Sequence, residues 1–374
     1  MNELENTITQ VIEENYIPFE WNDKVKKELQ DISLDKNLPR KDLTKVPFIT
    51  IDGADAKDFD DAVYCSINKK SYCLSVAIAD VAEIVKLKTA INDEAFKRGT
   101  SIYFPSKVIP MLPEKISNNL CSLVPNEIRN VLVCEINFNF EGELKSYNFL
   151  EARIKSHRRT TYNEIEKYLK NNSPSISKNV QESIDNLKDL TKKLLLLRNK
   201  RQALEINGQE PILKINDEGK VESIGLPSQL FAHQMIEEAM LSANVCAANF
   251  MNKHYKFGVY RNHEEPESLK LESLKNFFSV KGYSKSFKKD ALGVVEQCLS
   301  HSKKQQLNKI FQTVVLQSLK RAEYSTKEVG HFGLQLDRYS HFTSPIRRYP
   351  DLMTHRLIKN ILNKEGLKIN KDQI

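Results

Sequence analysis

The chain has 374 residues, 40% of them hydrophobic, which supports a sizeable core and excludes wholesale disorder. Lys+Arg number 56 and Asp+Glu 49, a net charge of +7 that permits a polyanionic partner without requiring one. No run of about 18 apolar residues is present, and the acidic opening Met1-Asn2-Glu3-Leu4-Glu5 is no secretory signal, so neither a membrane partner nor export is expected.

Leu4, Ile8, Val11 and Ile12 recur at helical spacing over 3–16. Residues 17–47 are polar and carry Pro39 and Pro47; they read as a lead-in wrapping the surface of the domain C-terminal to them. Phe48–Ile51 reads as a strand, followed by strands near 61–67 and 72–80 joined by an Asn68-Lys69-Lys70 turn. A hairpin is predicted over 131–150, with Glu141-Gly142 at its tip. From about 160 the period changes from two to 3.6. Thr161 and Glu164 have the spacing of a capping box, and 170–178 is a polar loop. Helical patterns recur at 179–203, 228–251 and 305–322, and a last helix opens at Pro350. Strands in front and helices behind predict an α+β fold, a mixed β-sheet surrounded by helices. No interior linker stands out, so residues 1–47 read as a helical lead-in and 48–374 as one domain. The cysteines, Cys65, Cys73, Cys121, Cys134, Cys246 and Cys298, form no Cys-x-x-Cys pair. They are expected to be reduced, mostly buried thiols of a cytoplasmic protein.

The most informative segment is 52–61, Asp-Gly-Ala-Asp-Ala-Lys-Asp-Phe-Asp-Asp, where five of ten residues are aspartate. Asp52 ends one strand and Asp61 begins the next, so the loop between them folds back and gathers its carboxylates. Like charges so close raise one another's pKa unless a cation neutralises them. Hard oxygen donors select Mg²⁺ or Mn²⁺. The bland alternative is an acidic surface loop. A calcium loop fails on spacing, with Lys57 where the glycine belongs. Nearly 300 residues later stands Tyr339-Ser340-His341-Phe342-Thr343-Ser344-Pro345-Ile346-Arg347-Arg348-Tyr349-Pro350, paired arginines just ahead of a helix. Guanidinium forks and helix amides both suit phosphate, although a capping loop with surface arginines has the same spacing. An acidic metal loop with an arginine phosphate loop describes a metal-assisted phosphodiesterase. From the residues alone, Tyr103-Phe104 reads as core packing. Arg153, Lys155, Arg158 and Arg159 read as either a solvated face or a track for a phosphate backbone.

Four separated motifs resemble the ribonuclease II/ribonuclease R exoribonucleases, and most closely the ribonuclease R branch: Thr50–Tyr64; Val108-Ile109-Pro110-Met111-Leu112-Pro113; Ile236-Glu237-Glu238-Ala239-Met240; and His341–Tyr349. The resemblance implies an RNB-type catalytic domain and a processive, hydrolytic 3′→5′ exoribonuclease releasing nucleoside 5′-monophosphates. It implies Asp52, Asp58, Asp60 and Asp61 as catalytic metal ligands, with Asp55 a bystander, and Arg347 as the phosphate contact with Arg348 beside it. It implies base stacking by Tyr103, which reverses the core reading, and contacts near the ribose 2′-hydroxyl by Tyr162 and one of Glu237 or Glu238. A second aromatic clamp of some members aligns with Leu204-Glu205-Ile206, where Ile206 is aliphatic. Family members carry flanking OB-folds, so this sequence reads as the catalytic region alone, without OB-folds and short of the family's closing helices.

Two metals about 3.5–4 Å apart would activate water, neutralise the phosphoryl group and stabilise the leaving oxygen. Mg²⁺, with Mn²⁺ as substitute, is the expected cofactor, and no organic cofactor is suggested. The expected partner is single-stranded RNA and the expected state a monomer. The rival readings are a catalytically impaired RNA-binding fragment and a metal-dependent DNase.

Overall fold

The computed structural model describes residues 3–35, 38–171, 176–205, 212–216, 220–225, 229–283, 285–303 and 308–364. Ile206 lies outside them.

Helix α1 (Glu3–Glu14) carries its apolar residues on one stripe, as their spacing predicts. The lead-in is more ordered than its polarity suggests. It contains α2 (Asp23–Asp31), capped by Asn22, whose side chain accepts from the Val25 amide at 3.0 Å, and β1 (Lys41–Asp42). Only Val25 of α2 is fully buried, with Leu29 partly buried four residues on, so its apolar stripe is just two residues long.

Then come β2 (Ile49–Asp52), β3 (Asp61–Ile67) and β4 (Tyr72–Ala79), the predicted strands. Helices α3 (Val81–Ile84) and α4 (Ala90–Arg98) lead to a short ribbon of β5 (Ile102–Tyr103) and β6 (Val108–Ile109). A single π-helical turn (Lys115–Leu120) precedes the long hairpin of β7 (Ile128–Phe138) and β8 (Leu144–Lys155). At its tip Gly142 has φ 87°, and an added Cβ would lie 2.7 Å from the Lys193 Cβ, so glycine is required twice over. β9 (Arg158–Thr161) runs into α5 (Tyr162–Asn171) through the expected capping box. The Thr161 amide donates to the Glu164 carboxylate at 2.7 Å, and the Glu164 amide to the Thr161 hydroxyl at 3.2 Å.

The sheet has seven strands in the order β1-β8-β7-β4-β3-β2-β9, antiparallel inside and parallel at both edges. Helix α6 (Lys178–Lys200) lies on β3 and β4. After the β10 (Ile212–Ile215) and β11 (Val221–Gly225) ribbon, α7 (Phe231–Tyr255) packs on β4 and β7. The main core lies between these helices, the sheet and the last helix. β12 (Tyr260–Asn262) precedes α8 (Ser268–Val280), α9 (Ala291–Ser302) and α10 (Asn308–Ser318), which share an apolar cluster around Phe278, Val294, Cys298 and Phe311. Of these three only the last was legible as a periodic pattern. β13 (Glu323–Ser325) pairs with β12, and α11 (Tyr349–Leu362) opens with Pro350 in its first turn, as expected. The α+β reading holds. All six cysteines are free and five are buried. Among the described residues, no helix is long and apolar enough to cross a membrane.

Candidate active site

Strand register assembles the site. β2 and β3 are antiparallel neighbours with Ile49 opposite Val63, so the end of β2 lies beside the start of β3, and with it Asp52 beside Asp61. On the other edge of β2, β9 is parallel with Thr161 opposite Asp52. That register delivers Tyr162, the first residue of α5, to the same end of the sheet.

The intervening loop is pinned from two sides. Arg159 donates to the Ala54 carbonyl and, at 3.3 Å, to that of Ala56, and its guanidinium lies 4.9 Å from the centre of the Phe59 ring. The Phe59 amide donates to the Ser122 hydroxyl at 3.0 Å, which in turn donates to the Lys57 carbonyl at 2.8 Å. Part of the basic run 153–159 therefore shapes the acidic loop.

The loop lines a cleft of about 1040 Å³ together with Tyr103, Tyr162, Glu237, Arg347 and Arg348. Asp52, Asp58, Asp60 and Asp61 all face it, as does the exposed Asp55. Asp60 is buried. One carboxylate oxygen accepts from the Ile346 amide at 2.9 Å, and the other lies 3.7 Å from the Arg347 Nε. Asp52 accepts from the Gly53 amide at 2.8 Å. Burial pushes the Asp60 carboxyl well above the usual carboxylate range, against the pull of Arg347. Burial, reinforced by the Asp52 charge, pushes Asp61 up to about 7. Asp52 is raised by burial in the same way. Among the described residues, the one ion pair of these aspartates is that to Arg347. The donor set thus carries uncompensated negative charge, which suits a divalent cation.

Another acidic group, Asp80, Glu83 and Glu151, also brings its carboxylate oxygens within 4.8 Å of one another. Arg40 and Lys359 already fill it. Arg40 lies 2.6 Å from Asp80 and 3.4 Å from Glu151, and Lys359 lies 3.0 Å from Glu83 and 2.9 Å from Glu151. Two cations among three acids make it a lock between the lead-in, the sheet and α11, with no donor excess for a metal.

Arg347 reaches the cleft from a loop held by its backbone. Its carbonyl accepts from the Ser101 amide at 3.0 Å and the Thr100 hydroxyl at 2.9 Å, and its guanidinium donates to the Ser344 hydroxyl at 3.1 Å. Arg348 is committed to Asp351 at 2.7 Å, and Asp351 also accepts from the Ser344 amide. Tyr103 is 54% exposed, with its hydroxyl 3.5 Å from the Asp58 carboxylate; desolvation and that charge push the phenol up to about 12. Its neighbour Phe104 packs inward, so the aromatic pair divides between cleft and core. Tyr162 stacks on His233 at 4.1 Å between ring centres.

Arg198 of α6 binds Glu237 at 2.7 Å and Glu238 at 2.8 Å. Glu237 faces the cleft, whereas Glu238 is buried behind the wall. Of the two glutamates that the sequence left open, Glu237 is the one on the cleft wall, because adjacent helix positions point about 100° apart.

The sequence reading missed Asn244. Its side chain accepts from the Phe342 amide at 2.8 Å and donates to the Tyr339 hydroxyl at 3.0 Å, fixing the arginine loop to α7. The available signal was an asparagine among the small and apolar residues Leu241–Ala248 of α7.

The family model for the RNB domain matches residues 40–364. Ribonuclease R of Vibrio parahaemolyticus is 40% identical over 367 residues, covering 95% of this chain and 43% of that protein. The chain thus spans less than half the length of that curated relative. Mycoplasma genitalium RNase R in complex with ribose-methylated single-stranded RNA superposes with a TM-score of 0.92 at 32% identity, over 99% of this chain and 59% of that one. The same enzyme in complex with double-stranded RNA gives 0.93 at 31%, over 99% and 68%. With residues 40–364 matched by the family model, well over half of the chain, the chain belongs to the RNB-domain family.

Proposed function

We propose that this chain is the catalytic region of a processive, divalent-metal-dependent 3′→5′ exoribonuclease that hydrolyses single-stranded RNA to nucleoside 5′-monophosphates. The observation that carries the reading is the gathering of Asp52, Asp58, Asp60 and Asp61 in a cleft where, among the described residues, Arg347 is the one cation paired with them. Family membership and the likeness to RNase R structures holding RNA support it.

The donor set fits the metal. Mg²⁺ takes one or two carboxylates from a protein, so four aspartates suit two ions better than one. Asp52, Asp58, Asp60 and Asp61 would hold Mg²⁺ or Mn²⁺. Bound there, such ions supply Lewis acidity and neutralise charge on the phosphoryl group. The chain's own groups do the rest. Asp60, fixed by the Ile346 amide, positions the attacking water. Arg347 holds the scissile or adjacent phosphate with a fork pre-set by Ser344. Tyr103 stacks on a terminal base, limiting each step to one nucleotide. Tyr162 and Glu237, both on the cleft wall, contact the ribose 2′-hydroxyl, the group that separates RNA from DNA. Arg348 supports the loop through Asp351. Residues 48–374 form the catalytic domain and 1–47 its lead-in.

The test compares RNA and DNA single strands of one sequence, with Mg²⁺ and with chelator, and identifies the products by chromatography. Nucleoside 5′-monophosphates from RNA alone, and only with metal, are expected. RNA bound without cleavage would favour a binding fragment, and cleavage of DNA at a similar rate would favour a general nuclease.

A further inference from the structure

The β5–β6 ribbon that presents Tyr103 cannot hold itself. It has two residues per strand and two cross-strand pairs, Ile102 with Ile109 and Tyr103 with Val108. Alternation puts the pairs on opposite faces. Tyr103 and Val108 line the cleft. Ile102, Phe104 and the buried Ile109 pack instead against Ile8 and Ile12 of α1, in an apolar cluster separate from the main core.

The lead-in grips the ribbon at two more places. At the tip, the Lys107 ammonium lies 5.5 Å from the Phe19 ring centre. At the base, Arg98 stacks on Trp21 at 3.6 Å, donates to the Glu20 carbonyl at 2.9 Å and donates to the Pro110 carbonyl at 3.0 Å. Residues 8–21 thus hold one face of the ribbon while the other faces the acidic cleft. The ribbon's entry, Thr100-Ser101, is bonded to the Arg347 carbonyl.

We infer that α1 is a positioning element that, through Ile8 and Ile12 packed on the back of the β5–β6 ribbon, sets the height of Tyr103 above the aspartates and so sets how tightly the terminal base is gripped. The inference rests on the reading of Tyr103 as the base platform. It assigns α1 no contact with RNA.

The experiment uses the full chain and a trinucleotide RNA carrying 2-aminopurine at its 3′ end, with chelator present so that no cleavage is needed. Quenching of the fluorophore reports stacking. Ile8→Ala/Ile12→Ala is expected to lose the quenching as Tyr103→Ala does, and to weaken trinucleotide binding about tenfold. Rescue is expected in Ile8→Val/Ile12→Val. In a Tyr103→Ala background the alanine pair should add nothing, because it acts only through that ring. If the alanine pair unfolds the chain, Phe104→Ala removes the ribbon's side of the contact, with the same outcomes expected. Unchanged quenching in a folded variant, while Tyr103→Ala loses it, overturns the inference. So does a further loss in the Tyr103→Ala background. Unchanged quenching in Tyr103→Ala itself overturns the reading of Tyr103 instead.

Discussion

At the scale of single residues, the site depends on which charges are answered and which are not. Arg347 is the one cation paired with the aspartates among the described residues, and its fork is aimed by Ser344. Arg347→Lys keeps the charge and loses the fork, so single-turnover cleavage of bound RNA should fall roughly 100-fold with little change in affinity. A fall under threefold would remove the phosphate-holding role. Tyr103→Ala should lengthen the shortest undegraded RNA more than it slows attack on long RNA. Stacking contributes about 1–3 kcal/mol per base and matters most when few other contacts remain. An unchanged end-product ladder on a sequencing gel would contradict this. The aspartate loop was legible because five aspartates in ten residues, between two apolar strands, stand out from any solvated helix face. Asn244 and the clamp by Arg159 were not. Their partners lie about 100 residues away in sequence, and no local pattern announces a contact made by topology.

At the scale of elements, α11 carries the arginine loop and is locked below it by Lys359 and, within the core, by His355. The His355 ring is fully buried, stacks on Phe342 at 4.6 Å and donates from Nε2 to the Phe342 carbonyl at 2.8 Å. Burial pushes it down to about 4. The unfolded chain takes up this proton below about 6.5, whereas the fold resists it until about 4. The associated stability is therefore complete above about 6.5 and lost as pH falls towards 4, about 3 kcal/mol in all. Urea titrations between pH 7.5 and 4.5 should show a shallower loss for His355→Gln than for the parent, and equal slopes would contradict the assignment. Elements with a clean period were legible: the central strands, the β7–β8 hairpin, α6, α7 and α11. Helix α9 was missed although Val294, Val295, Cys298 and Leu299 recur at helical spacing, and elements with few buried positions were missed too. In α2 only Val25 is buried, and in α8 only Leu274 and Phe278. The β5–β6 ribbon is too short for any period.

At the scale of the whole molecule, the net charge is a modest +7 and acids outnumber bases along the cleft, so little long-range attraction for RNA is built in. Binding of single-stranded RNA should weaken with salt at about −0.7 in the log–log slope per phosphate contact, and Arg347→Ala should make the slope shallower by about that amount. Anisotropy titrations at several salt concentrations read this directly, and an unchanged slope would place the phosphate elsewhere. The central claim is that the four aspartates hold divalent metal for cleavage from the 3′ end. Its most direct test is one time course with 5′-labelled single-stranded RNA, over a Mg²⁺ titration, for the parent and Asp60→Asn. The expected result is a ladder shortening one nucleotide at a time from the 3′ end, at a rate that saturates with Mg²⁺, and no ladder from Asp60→Asn at equal RNA occupancy. Shortening that survives chelation, internal cuts, or an Asp60→Asn rate within a few-fold of the parent would contradict it.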